Sequence, residues 1–234
     1  MPDRSLHLPL KFELDRESPF SFICKACSKC CHKKAIKVAP YEALRLARNL
    51  GITTTEFFTH YTERGGTFLK IKKDMNCIFL KDQVCTVHPD RPLVCRLFPL
   101  AQTIDEEGNE RFAQMPPQQD CRGEYGKEGT VEAYLKSQKA APYLRMEERY
   151  TALYRRMEAK LAHLIKETKS DKQAAPDNTG KATEVSGQAL HSPLLDIDAT
   201  LKIYCKKQGI SPPVDLEEMV NLHIKSIEDW LNNI

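Results

Sequence analysis

The residues of this chain best suited to chemistry are its cysteines, nine in all, of which eight lie between Cys24 and Cys121. The first group reads Cys24-Lys-Ala-Cys27-Ser-Lys-Cys30-Cys31-His32, and its three-residue steps let successive thiolates turn toward one ion. Cys77, Cys85 and Cys95 follow in CIFLKDQVCTVHPDRPLVCRLFP, and Cys121 stands alone in PQQDCRG. A lone CxxC provides two of the four positions that zinc fills, so a closed site needs a distant ligand folded back onto the local knuckle. Eight cysteines supply two such sets. Lys25, Lys29, Lys33, Lys34 and Lys37 surround the first group, with no acidic residue between Glu17 and Glu42. Four thiolates on a divalent ion leave a net charge of about −2, which neighbouring ammonium groups favour. In a reducing compartment such thiol density is poorly explained by disulfides, and metal binding is the economical expectation.

The residues leave the metal open, because zinc and iron-sulfur centres both accept four cysteines. Cys24, Cys27 and Cys30 share the CxxCxxC step of bacterial ferredoxins, but the fourth position of that run is Lys34 and no Cys-Pro follows. An iron-sulfur cluster, 4Fe-4S included, must then recruit Cys77, Cys85 or Cys95. Side chains of the adjacent Cys30 and Cys31 diverge, which points to a polynuclear centre or to two neighbouring sites. His32, His60 and His88 are read as surface or packed residues before ligands, His32 being nearest the cysteines. Cys205, on an amphipathic stretch, reads as a small core residue. Arg91 and Arg96 are read either as donors to cluster sulfurs or neutralisers of their charge, or as members of ordinary ion pairs.

CxxCxxCC followed by CxxHPxRPxxCRxFP resembles the YkgJ-like cysteine-cluster family, described as a zinc- or iron-chelating domain, over roughly residues 20 to 125. The resemblance implies a metal site at Cys24, Cys27, Cys30, Cys31, Cys77, Cys85, Cys95 and Cys121, with Arg91, Pro92, Arg96 and Pro99 completing its second block. His88 stands where many relatives carry tyrosine, either as a ligand or in the aromatic's place. Flagellin lysine methylases resemble the same block, which raises a redox or protein-methylating enzyme built on an iron-sulfur centre. The sequence gives that reading thin support, since a radical-type CxxxCxxC fails at Lys34 and no GxGxxG is present. Hydrolysis and phosphoryl transfer have no handle either, for want of a Ser-His-Asp order, HExxH pair or Walker loop.

Elements must position these thiols. At 234 residues the chain has room for one domain with an appendage or two small ones. Its 41% hydrophobic content can build a core, while a mean hydropathy of −0.49 and the lack of any long apolar run argue against a membrane span. A net charge of +3 from 35 basic and 32 acidic residues gives no nucleic-acid signal. The opening MPDRSLHLPLKFELD places acids and a proline where a signal peptide needs a basic tip and an apolar run, so a cytoplasmic location is expected.

Residues 1–23 read as an extended lead-in, 40–51 as a helix stopped by Gly51, and 54–61 as a second helix. Short strands are expected at 68–71 and 77–87, the latter folded at Lys81-Asp82, with another pair around the 105–109 turn. The chain turns helical from Val131, and 142–169 forms a long amphipathic helix. A polar stretch over 170–192 reads as a flexible linker, and 198–208 and 215–234 as two helices, Asp215 capping the second. The fold expected is α+β: a cysteine-cluster metal-binding domain over 1–169 that includes the long helix, the linker, and a two-helix segment over 193–234. That segment could dock a protein partner, making a zinc-stabilised interaction module the alternative to metal binding alone.

Overall fold

The computed structural model describes residues 10–105, 107–170 and 194–234. The expected linker lies, Ser170 apart, outside them. Along the chain come β1 (Pro19–Ile23), α1 (Pro40–Leu50), α2 (Thr54–Tyr61), β2 (Thr62–Glu63), β3 (Phe68–Leu69), β4 (Leu80–Lys81), β5 (Val84–Cys85) and α3 (Leu93–Leu97). Then follow β6 (Leu100–Ile104), β7 (Glu110–Gln114), β8 (Glu124–Thr130), α4 (Val131–Ser137), α5 (Ala141–Ser170), α6 (Ile197–Gln208) and α7 (Leu216–Asn232). This is a mixed α+β fold with short strands, flanking helices and a C-terminal helical pair. No helix among the described residues is long and apolar enough to cross a membrane. The chain divides into two compact units, one holding residues up to Val38 with Thr67–Leu144, the other Ala39–Gly66 with Arg145–Ile234.

In the first unit β1 pairs antiparallel with β8, Ser21 opposite Gly126 and Ile23 opposite Glu124, with a register irregularity between Pro19 and Ser21. The lead-in read from sequence is therefore part of a ladder. Its partner, EYGKEGT, carries two glycines and three charges, a composition with little strand propensity of its own. Aromatic packing supplies what propensity lacks: Phe20 meets Tyr134 edge-on at 5.0 Å, and Phe22 meets Tyr125 at 4.9 Å and Phe98 at 6.0 Å. β6 and β7 form the expected hairpin, whose turn is held by the Asp105 carboxylate accepting the Asn109 N–H at 2.7 Å. β4 and β5 are shorter than the 77–87 run suggested. The chain reverses through Asp82 and Gln83, both at positive φ (49° and 62°), and Cys77 gives its N–H to the Cys31 carbonyl at 2.8 Å instead of extending the hairpin.

Among its described residues, the regular elements of the second unit are helices apart from β2. The Gly51 stop is observed, with φ 69°, where a glycine avoids the Cβ clash of the left-handed turn. α2 opens with a capping box: Thr53 Oγ1 accepts the Glu56 N–H at 3.2 Å, and Glu56 Oε2 accepts the Thr53 N–H at 2.8 Å. α6 is fastened to these helices by Arg48, whose guanidinium meets Asp198 at 2.6 and 3.0 Å, and by the Thr54 hydroxyl on Asp196 at 2.6 Å. Met146, Tyr150, Leu153 and Met157 of α5 are buried, whereas Leu161 and Ile165 further along the same apolar stripe are exposed. Cys205 is 2% exposed and packs in this core, as its isolated position suggested.

Candidate metal centre

All eight clustered cysteines belong to the first unit. Cys24, Cys27, Cys30 and Cys31 lie on a loop after β1 in which Ala26, Ser28 and Lys33 take positive φ (48°, 61° and 52°), so the chain doubles back tightly between successive thiols. Its far end lies along the 75–77 segment: Lys33 donates its N–H to the Met75 carbonyl at 2.9 Å, and Cys77 donates to Cys31. The β4–β5 hairpin sets Cys85 opposite Leu80, Cys95 sits on α3, and Cys121 precedes β8. Cys24 is exposed and the other seven are half-buried, all as free thiols.

Four of these sulfurs share a local geometry that the sequence pattern does not reveal. Cys121 Sγ accepts the N–H of Gly123 at 3.4 Å, and at Cys27, Cys77 and Cys85 the N–H of the residue two positions on, Lys29, Phe79 and Val87, works to lower the thiol pKa. Such donors favour the thiolate, which is the metal-binding form. The signal is invisible in side-chain types because the backbone provides it.

The electrostatics divide the thiols. A hydrogen bond from the Cys31 thiol draws Cys30 down to about 7, burial opposing and the Arg91 and Lys34 charges helping. Cys31, bonded to Cys30 and buried near Cys85 and Cys95, is pushed up in turn. Burial raises Cys77 and Cys85 despite their N–H donors. It also works against Cys27, but the N–H groups of Arg122 and Lys29 and the Cys121 thiol outweigh it and leave Cys27 lowered. Cys121 is raised, first by burial and then by the neighbouring Cys27 charge.

Among the described residues no three Cys, His, Asp or Glu side chains converge into a group that could hold a metal ion. Thiol contact is made in pairs, Cys27 with Cys121 and Cys30 with Cys31. The donor chemistry nonetheless fits zinc or iron: sulfur ligands, N–H groups aimed at four of them, and cations close to Cys30.

The histidines stand apart from this set. His32 Nδ1 lies 3.2 Å from Asn76 Oδ1, exposed His88 lies 3.4 Å from the Arg91 guanidinium, and His60 belongs to the second unit. Partial burial, then Arg91 and Arg96, hold the His88 pKa down.

Arg96 follows neither of its two expected roles. It is 3% exposed, and its guanidinium donates to the carbonyls of Arg91 (3.0 Å), Gln138 (2.9 Å) and Pro89 and to the Tyr143 hydroxyl (2.7 Å), lying 4.1 Å from that ring's centroid. Arg91 donates to the His88 carbonyl at 2.8 Å and to Gln138 Oε1 at 2.7 Å. The two arginines therefore tie the RP segment to the end of α4, and Arg91 also feels the Cys95 and Cys85 charges. Of the surrounding lysines, Lys25 pairs with Glu124 at 2.9 Å.

Comparison with known proteins gives no significant match to any curated protein or any solved structure. Residues 23–122, which hold all eight clustered cysteines, do match a family model, described as "CxxCxxCC: Putative zinc- or iron-chelating domain".

Proposed function

We propose that residues 23–122 chelate zinc or iron through Cys24, Cys27, Cys30, Cys31, Cys77, Cys85, Cys95 and Cys121, and that the metal fastens the loops carrying them. The observation that carries this reading is that all eight cysteines of one compact unit, Cys121 accepting the Gly123 N–H among them, fall within the segment matched to the chelating domain. Zinc would supply a cross-link between loops, and an iron-sulfur centre such as 4Fe-4S would add a one-electron couple. Arg91 and Lys34 would offset the negative charge of the thiolates. A reducing compartment such as the cytosol would keep the sulfurs available.

The test is metal and acid-labile sulfide content, with a visible spectrum, on protein purified without oxygen. Stoichiometric zinc in a colourless protein supports a structural centre. Iron with sulfide and brown absorbance supports a cluster and brings redox or methylating roles forward, to be sought as an activity lost in Cys27→Ser or Cys95→Ser with the fold intact. Metal-free folded protein with eight free thiols overturns the proposal.

A second reading, a protein-interaction module, is favoured by exposed apolar side chains of the C-terminal helices and the turn between them, Ile203 (68% exposed), Val214 (94%) and Trp230 (49%). Ile203→Asp with Trp230→Asp should then abolish partner binding and leave the metal content unchanged.

A further inference from the structure

We infer that Tyr125 is a positioning residue of the cysteine centre, its buried hydroxyl being the hydrogen-bond donor that the Cys121 sulfur receives when it carries a metal ion. The inference rests on the metal reading above and adds to it a group that is not itself a ligand.

Buried polar atoms in folded proteins are nearly always paired, because an O–H taken out of water without a partner is left at a net cost. Among the described residues the Tyr125 hydroxyl is the one buried side-chain nitrogen or oxygen that has no partner. The contrast lies beside it. Tyr134, a member of the same aromatic cluster, spends its hydroxyl on the Phe98 carbonyl.

The place of this hydroxyl in the fold points to the sulfur. Tyr125 stands opposite Phe22 in the β1–β8 ladder, the two rings 4.9 Å apart, and Phe22 also meets Phe98 at 6.0 Å and Tyr134 at 6.5 Å. These four rings pack at the end of the ladder from which the chain runs out to Cys24 and back in from Cys121. Cys121 Sγ accepts the Gly123 N–H at 3.4 Å, and a methyl group at Gly123 would fall 3.4 Å from that sulfur and 2.3 Å from the Phe22 ring. Phe22 thus lies against both the Cys121 turn and the Tyr125 ring, and the glycine leaves no side chain to part them. Burial first, and the Cys121 charge second, push the Tyr125 pKa up to about 12, so the hydroxyl keeps the proton it would donate.

A neutral thiol makes little demand on such a donor, whereas a thiolate accepts a charge-assisted bond. Metal ligation turns Cys121 into a thiolate, which would take the Tyr125 O–H beside the Gly123 N–H it already accepts.

The test uses the full-length reduced protein, stripped of metal and titrated under nitrogen with Co²⁺ alone, whose thiolate charge-transfer absorption reports ligation by sulfur. A donor lowers the energy of the sulfur lone pairs, so Tyr125→Phe should bind as many Co²⁺ as the wild type with its charge-transfer bands at longer wavelength. Its affinity, from competition with a chelator, should fall about 10- to 100-fold. Tyr134→Phe, which removes a hydroxyl already given to a carbonyl, should leave the bands in place. Bands and affinity of Tyr125→Phe equal to those of the wild type overturn the inference and leave metal binding standing. An equal band shift in Tyr134→Phe also overturns it, by assigning the effect to ring packing. So does a Tyr125→Phe protein that loses its circular dichroism, since the hydroxyl would then be needed for the fold. No thiolate absorption in the wild type overturns the metal reading and the inference together.

Discussion

Replacing Arg96 with methionine tests the most consequential contact in the cysteine-bearing unit. The guanidinium is buried, meets no carboxylate, and spends its donors on three carbonyls and one hydroxyl drawn from Pro89, Arg91, Gln138 and Tyr143. Taking a guanidinium out of water costs several kcal/mol, which its bonds must offset. Hydrogen bonds to a charged group contribute about 1.5 to 3 kcal/mol each, so four of them exceed that cost, and stacking on Tyr143 adds about 1 kcal/mol. Methionine keeps most of the stem's volume but takes the guanidinium's donors away from four acceptors, at about 1 kcal/mol apiece. The expected loss is about 4 kcal/mol, a large part of the roughly 5 to 15 kcal/mol available to a domain. Trp230 lies in the other unit, so its fluorescence is the wrong probe. Hydrogen exchange of α4 and the β6–β7 hairpin in urea reads the unit directly. Arg96→Lys should lose nearly as much, because a single ammonium cannot serve four acceptors spread around a planar fork. A loss below about 1 kcal/mol for Arg96→Met would refute the reasoning, since it would mean that the carbonyls are rehydrated at no net cost.

Other outcomes follow from the same contacts. Burial works to raise the Asp198 carboxyl, but the Arg48 guanidinium and the Thr54 N–H overcome it and hold the group below its usual range. Its stabilising contribution is therefore complete above the unfolded value near 3.8 and is lost as pH falls through the lower folded value, so the wild-type melting temperature should drop more steeply than that of Asp198→Asn as pH falls below about 4. Tyr150→Phe removes the 2.8 Å contact between its hydroxyl and His223 Nδ1, both buried, and should cost about 1 to 2 kcal/mol in urea unfolding. At Gly123 a methyl group would fall 2.3 Å from the Phe22 ring, which is hemmed in by Tyr125 and Phe98; Gly123→Ala should destabilise the β1–β8 ladder by about 1 to 3 kcal/mol, measured by chemical denaturation. If zinc is bound, apparent energies of about 10 to 16 kcal/mol per structural ion make chelation equivalent to unfolding the cysteine-bearing unit, seen as loss of exchange protection there while the α6–α7 pair keeps its own.

Much of the helical part was legible residue by residue. Gly51 and Gly209 stop their helices with φ 69° and 66°, Asp215 caps α7, and the buried positions of α5 keep the three- and four-residue rhythm from Met146 to Met157. These features are local: a turn, a cap or a periodic face is set by residues within a few positions of one another. The eight cysteines stood out for a different reason: their density and spacing match the zinc- or iron-chelating family over residues 23–122.

What only the tertiary structure decided is non-local. No residue type within EYGKEGT announces a strand; β8 exists because β1 and the rings of Phe20 and Phe22 lie beside it. Arg96 could be read as a sulfur donor or an ion-pair partner until Pro89, Gln138 and Tyr143 arrived from three other segments to occupy it. The N–H groups on Cys27, Cys77, Cys85 and Cys121 are main-chain donors that every sequence possesses, and only the turn taken after each cysteine points them at sulfur. Sequence names the candidate sulfurs because chemistry belongs to side chains, whereas which of them become neighbours depends on backbone pairings between segments as far apart as Cys31 and Cys77.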